Sequence, residues 1–274
     1  VPLSRSFFKL WEILGDFQLL KAEEERVHTV HLAEGPGGFI EAVCQCRRVQ
    51  HRSRAAATTA RTATTATTAS TETTETTAST ATRTISTAKR NRHHTLDRIY
   101  GITLLSPHKE IPGWTKAEAF MHAHPHVRLH HGLDGTGDLY RVSNIDALCR
   151  DIGEGSCAIA TADGGFDFST NFDQQELLVT HLLMSELYAA LRLVRRGGSF
   201  VCKFFDTYHR MTVEMLWLIA VVFDTMNIVK PHTSRPANSE RYVVAQGYRG
   251  HDSPLCADTL SHLRTLLHTW EARE

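Results

Sequence analysis

The chain has no apolar run approaching the roughly 18 residues that a membrane-spanning helix needs, and its opening VPLSRSFF holds neither a basic nor an apolar leader region. No membrane association is expected. It also has no paired CxxC unit. The six cysteines (Cys44, Cys46, Cys149, Cys157, Cys202 and Cys256) fall mostly in apolar stretches, which fits buried thiols in a reducing compartment, nucleus or cytoplasm, rather than a disulfide frame. Excess charge is absent: thirty basic residues balance thirty acidic ones, so an anionic partner has to be met by a local patch. The first residue is not Met and patterned sequence begins at once, so the chain reads as an excerpt of a longer protein with flanking domains or protein partners of its own.

Residues 55–88 lack any large apolar side chain until Ile85 and consist almost wholly of Ala and Thr. Such a segment cannot bury enough surface to offset the entropy of ordering, so a disordered, low-complexity insertion is expected at about 50–92. The remainder, 42% hydrophobic and 22% charged in the whole 274 residues, has globular composition and reads as one domain covering 1–274.

Outside the insertion short apolar runs alternate with longer periodic ones, the pattern of a mostly parallel sheet wrapped by helices on both faces. Strands are expected at about 27–33, 98–105, 126–131, 157–162, 198–205, 227–231 and 241–248. The first helix places Phe7, Leu10, Trp11, Leu14 and Phe17 on one stripe and leaves Lys9 off it. Further helices are expected from about Gly38 to Arg47, from an Asp173/Glu176 capping box to Gly197 and Gly198, over about 211–225, and after Asp252 or Ser253 with Pro254 in the first turn. The loop between the last two strands is too short for a crossover helix, so that pair should be antiparallel. A seven-stranded sheet ending this way is the methyltransferase variant of the Rossmann architecture.

Two features carry chemistry. VHTVHLAE runs as a strand into GPGG and then into the helical FIEAVCQC, a junction where backbone N–H groups can hold an anionic group, although a plain tight turn has the same spelling. The spacing G-x-G-x-x-G is missing, which disfavours a nicotinamide cofactor and an oxidoreductase. The second feature is charge at strand ends: Asp163 closes the fourth strand, Lys203 lies in the fifth and Glu240 opens the last, with Lys9 on the first helix. Such groups are costly to bury unless paired. Singly, Asp163 is also a turn former, Lys203 a snorkelling edge residue, Glu240 a partner for Arg235 or Arg241, and Lys9 a partner for Glu12. Asp134 and Asp138 follow the third strand, where open α/β sheets bind ligands, and both also suit a glycine-rich turn. Five histidines in MHAHPHVRLHH invite a zinc reading that lacks a Cys or carboxylate at ligand spacing, so no metal is expected.

The order of these charges and the strings ADGGF, RRGGSFVCKFFD and KPHTSRPANSERYVV resemble the FtsJ/RrmJ-type RNA ribose 2′-O-methyltransferases, and among them the mRNA cap enzymes. The resemblance covers most of the chain outside 49–95 and maps a catalytic Lys-Asp-Lys-Glu tetrad onto Lys9, Asp163, Lys203 and Glu240. It implies S-adenosyl-L-methionine as cofactor, held by Gly35, Pro36, Gly37, Gly38 and Phe39, with Asp163 and Asp138, preferred over Asp134, also at the cofactor. After IYGITLLSP no carboxylate stands where such enzymes often hold the cofactor's ribose. Ser234, Arg235 and Asn238, with Lys230, His209 and Arg210 near the same rim, are candidates for RNA contact, and an ordinary solvated loop is the alternative.

The expected function is transfer of a methyl group to a ribose 2′-hydroxyl of RNA near the 5′ cap of mRNA. Lys203, its pKa lowered by burial and by a second ammonium at Lys9, would act as base or stabilise the alkoxide. The same chemistry on ribosomal RNA, or a non-catalytic RNA-binding scaffold with this fold, are the alternatives.

Overall fold

The computed structural model describes residues 1–68, 97–107, 111–165, 176 and 179–273. Its seven strands are β1 (His28–Leu32), β2 (Arg98–Ile102), β3 (Val127–His130), β4 (Cys157–Ala162), β5 (Val194–Phe204), β6 (Phe223–Val229) and β7 (Arg241–Tyr248). They form one sheet in the order β3-β2-β1-β4-β5-β7-β6, parallel except for β7, which runs antiparallel to both neighbours. The helices are α1 (Ser6–Asp16), α2 (Gly38–Thr68), α3 (Glu118–Ala123), α4 (Val142–Ile152), α5 (Thr180–Leu193), α6 (Arg210–Val222) and α7 (Pro254–Glu271).

Side chains alternate across the sheet, so each strand feeds two cores. On one face Leu10, Ile13 and Leu14 of α1 and Phe39, Ile40 and Val43 of α2 pack on Ile159, Val201, Tyr242 and Val244. On the other, α4, α5, α6 and α7 cover Val30, Leu32, Ala160, Phe200, Cys202 and Val243. Ile13 rather than Trp11 completes the inward stripe of α1; Trp11 is partly exposed and stacks on Phe7.

Three expectations change. The second helix does not end at Arg47 but continues to Thr68, so 55–68 of the Ala/Thr tract is helical, as Ala favours; 69–96 lies outside the described residues. The helix expected to reach Gly197 stops at Leu193, and the two glycines fall inside β5, where pairing with β4 shifts register between Cys157 and Ile159. The helix expected over 211–225 ends at Val222, because Phe223 turns directly into β6. Asp173, and with it the Asp173/Glu176 capping box, lies outside the described residues; the Glu176 carboxylate accepts the amides of Tyr208 at 3.0 Å and His209 at 2.8 Å, capping α6 from a distant segment.

Candidate active site

Register builds the site. Leu32 of β1 pairs with Ala162 of β4, and Ala162 with Cys202 of β5, so the residues that follow β1 and β4 emerge beside Lys203. Because β7 runs the other way, its first residues arrive at the same rim: Lys203 pairs with Tyr242 and Phe204 with Arg241. Glu240 therefore enters next to Lys203 although it begins a strand rather than ending one. Lys9 is brought in by α1, whose Glu12 accepts the amides of His232 at 2.7 Å and Thr233 at 3.2 Å and so ties the helix to the β6–β7 loop.

The four charges predicted from sequence converge. Lys203 Nζ donates to the Asp163 carbonyl at 2.7 Å and lies 3.4 Å from Asp163 Oδ1. Lys9 Nζ pairs with Glu240 Oε1 at 2.5 Å, so neither Glu12 nor an arginine is the partner. Tyr242, fully buried, joins the two pairs: its hydroxyl lies 2.8 Å from Asp163 Oδ1 and 3.0 Å from Glu240 Oε1 and has one hydrogen to donate. Sequence reasoning missed it, although a tyrosine two residues after Glu240 on a strand must share its face.

Charge states follow from these neighbours. Burial would lower the Lys203 pKa, but Asp163, Glu240 and Glu186 together raise it above the ordinary lysine value, opposite to the expectation from sequence. Burial would raise that of Glu240, but Lys9, Lys203 and Tyr242 hold it below the ordinary glutamate value. Burial, then the adjacent carboxylates, pushes the Tyr242 phenol well up, so it remains a neutral donor.

The glycine loop faces a cleft of about 1220 Å³ that also reaches Asp163, Lys203 and Glu240. Gly35 and Pro36 line it, and Gly37, Gly38 and Phe39 follow at the start of α2. A Cβ on Gly37 would meet Met121, Trp114 and Leu3; one on Gly38 would strike the Ser4 and Ser6 hydroxyls; Phe39 is core. Glu34, unremarked in the sequence, accepts the Phe39 amide at 3.0 Å and the Ile40 amide at 3.2 Å, and so caps α2 behind the loop. Where a carboxylate was sought after β2, Thr103 stands at the cleft and accepts the Gly35 amide at 3.2 Å.

Asp138 lines the cleft with Tyr140 and accepts that residue's amide at 2.9 Å, whereas Asp134 is used up in a turn with Thr136 and Asn144. Arg235 and Asn238 line the cleft as well, and Ser234, beside Arg235, is 5% exposed. Lys230 is engaged with the Asn238 and Glu240 carbonyls, and Arg210 with Glu214. Of the histidines, His124 stacks on Phe120 and His126 approaches Cys44; no metal-holding group of three or more His, Cys, Asp or Glu occurs among the described residues.

A seven-stranded sheet with antiparallel β7 and a cleft at the rim where β1, β4 and β5 end defines a Rossmann-like methyltransferase fold. The FtsJ-like methyltransferase family model matches residues 2–248, and the chain belongs to that family. The chain is 37% identical over 141 residues to cap-specific mRNA (nucleoside-2′-O-)-methyltransferase 1A of Caenorhabditis briggsae, a match covering 50% of this chain and 16% of the relative. It is 39% identical over 123 residues to the inactive cap-specific mRNA (nucleoside-2′-O-)-methyltransferase 1B of the same organism, covering 43% and 14%. The chain thus spans a small part of the length of these relatives. Among solved structures, a protein described as a ribosomal RNA methyltransferase from Plasmodium falciparum superposes with a TM-score of 0.53 at 14% identity, over 90% of this chain and 98% of that one, a likeness of fold.

Proposed function

We propose that the chain transfers a methyl group from S-adenosyl-L-methionine to a ribose 2′-hydroxyl of RNA, with capped mRNA as substrate. The observation that carries this reading is the closed link Lys203–Asp163–Tyr242–Glu240–Lys9 at the rim of the cleft. Identity alone does not choose between an enzyme and a scaffold, since one relative named as active and one named as inactive match about equally well. An intact set of two ammoniums and two carboxylates favours an enzyme.

The cleft fits the cofactor: Gly35 and Pro36 leave its wall free of long side chains, Asp138 offers an acceptor, and Gly165 lies beside Lys203, where a Cβ would press to 3.1 Å from Nζ. When bound, the cofactor supplies an electrophilic methyl on a sulfonium.

The protein's own task is the hydroxyl. A ribose 2′-oxygen reaching Lys203 meets a buried ammonium, because the surrounding carboxylates outweigh desolvation. Lys203 therefore acts first by holding the oxygen and stabilising negative charge as it grows, the second of the two roles expected from sequence. Asp163 fixes the amine through its carbonyl, and the Lys9–Glu240 pair holds Tyr242 and Asp163 in place. The hydroxyl proton leaves to solvent through the open cleft. Deprotonated Lys203 would be a direct base, so turnover should rise toward alkaline pH.

The test is mass spectrometry of capped and uncapped transcripts after incubation with isotope-labelled S-adenosyl-L-methionine. Label on the ribose of the capped RNA alone supports the reading; label on neither, or equally on both, rejects the enzyme or the cap preference respectively.

A further inference from the structure

Glu186 is a carboxyl in the middle of α5, where its neighbours Leu183, Leu187 and Ala190 are core, and it is 0% exposed. Its Oε2 receives only a weak bond from Cys202 Sγ at 3.7 Å. Its Oε1 lies against the backbone of Gly164, whose amide acts on the carboxyl and where an added Cβ would collide with Oε1. Of the two neighbours of that glycine, Asp163 accepts from Lys203 through its carbonyl, and Gly165 lies where an added Cβ would stand 3.1 Å from the ammonium. Glu186 thus stands behind the three-residue turn that holds the proposed catalytic amine, on the face of the sheet to which Cys202 points and Lys203 does not.

We propose that Glu186 is a positioning residue for Lys203: a neutral carboxyl behind the Asp163–Gly165 turn that, on ionising, draws the Lys203 charge away from the ribose oxygen. The assignment rests on the methyltransferase reading of the site. The ionisable groups that bear on it are Lys203 and Cys202 on β5 and Asp163 at the end of β4. Burial pushes its pKa up to about 8, with Lys203 opposing and Asp163 reinforcing the shift. At pH 7 the carboxyl keeps its proton and Lys203 answers to Asp163 and Glu240 alone. Above pH 8 a third carboxylate appears beside Lys203, which strengthens its hold on its proton and pulls it inward.

Glu186→Gln keeps the shape and fixes the neutral state. Its kcat should match wild type within about two-fold at pH 7 and exceed it several-fold at pH 9, with KM for RNA unchanged. A ten-fold loss at pH 7 would mean that the anion is the working form, and parallel profiles from pH 6 to 9.5 would mean that the residue only packs; either overturns the proposal. Carbon-detected NMR needs no substrate: a carboxyl resonance missing in the Gln variant should titrate near pH 8, and the Lys203 Cε shift should follow it in wild type only. A Lys203 shift indifferent to that titration sinks the proposal. Coupling without any methyl transfer to RNA would instead sink the functional reading and leave the positioning intact.

Discussion

Lys9 and Glu240, near opposite ends of the chain, form a 2.5 Å ion pair whose side chains are 14% and 11% exposed. Breaking a buried pair from one side leaves the other charge uncompensated. Lys9→Met should therefore cost about 1–3 kcal/mol, below the full buried limit because some solvent reaches the pair. Lys9→Met combined with Glu240→Gln should recover most of that stability in urea denaturation. It should not recover methyl transfer, which stays at least ~100-fold down because the charge beside Tyr242 and Lys203 is gone.

Tyr242→Phe removes one oxygen and keeps the ring, including its packing on Phe39 and its place under Lys9 Nζ, 6.0 Å from the centroid. Tyr242 contributes to the lowering of the Glu240 pKa, so its loss raises that pKa. Glu240 then protonates at higher pH. The acid limb of the kcat profile should shift upward in pH, with kcat down about ten-fold at neutral pH and KM for RNA little changed. An unmoved acid limb would mean that the phenol does not set the charge of its neighbours.

How far the sequence could be read depended on whether a residue's role was set by its own strand. Alternating runs located all seven strands, and Lys9, Asp163, Lys203 and Glu240 were legible because charge in or beside an apolar segment stands out. Tyr242 was not, since it looks like core until register brings it to the site, and Glu186 was not, since a lone carboxylate on a helix reads as solvated until packing buries it. Thr103 acts through a bond to a backbone amide 68 residues away, which no local pattern encodes, and Glu34 through two amides across the cofactor turn, whose closure the spelling alone does not reveal. Ser234 and Gly37 were placed at the ligand by their neighbours in sequence, and only the folded turn shows that Ser234 is buried and that the missing Cβ of Gly37 faces Trp114.

Gly37 has φ of +103°, a backbone conformation that side chains disfavour, and the space beyond its missing Cβ belongs to Met121, Trp114 and Leu3. Gly37→Ala should lower stability by about 1–3 kcal/mol. At a temperature where the variant is folded, calorimetry should find its affinity for S-adenosyl-L-methionine within about three-fold of wild type. A selective loss of affinity in a protein of unchanged melting temperature would put Gly37 back at the cofactor.

His31 sits at the centre of the sheet, 0% exposed, with Nε2 2.9 Å from Thr29 Oγ1 and Nδ1 2.7 Å from Thr161 Oγ1. Burial depresses its pKa to about 3, so the 3.8 Å approach of Glu34 is a contact with a neutral imidazole rather than an ion pair. In the unfolded chain the same ring titrates near 6.5, so below that pH the unfolded state binds a proton that the folded state refuses. Stability is intact above pH 6.5 and should fall by roughly 1.4 kcal/mol per pH unit from this group as pH drops toward 3. Glu240, with its folded pKa depressed, adds to the loss only at more acid pH, below the ordinary glutamate value. His31→Gln keeps a donor and an acceptor between the two threonines but has no ring to protonate. Urea midpoints for wild type should drop between pH 7.5 and pH 5, while those of the variant should change far less; equal slopes would assign the acid sensitivity to other groups.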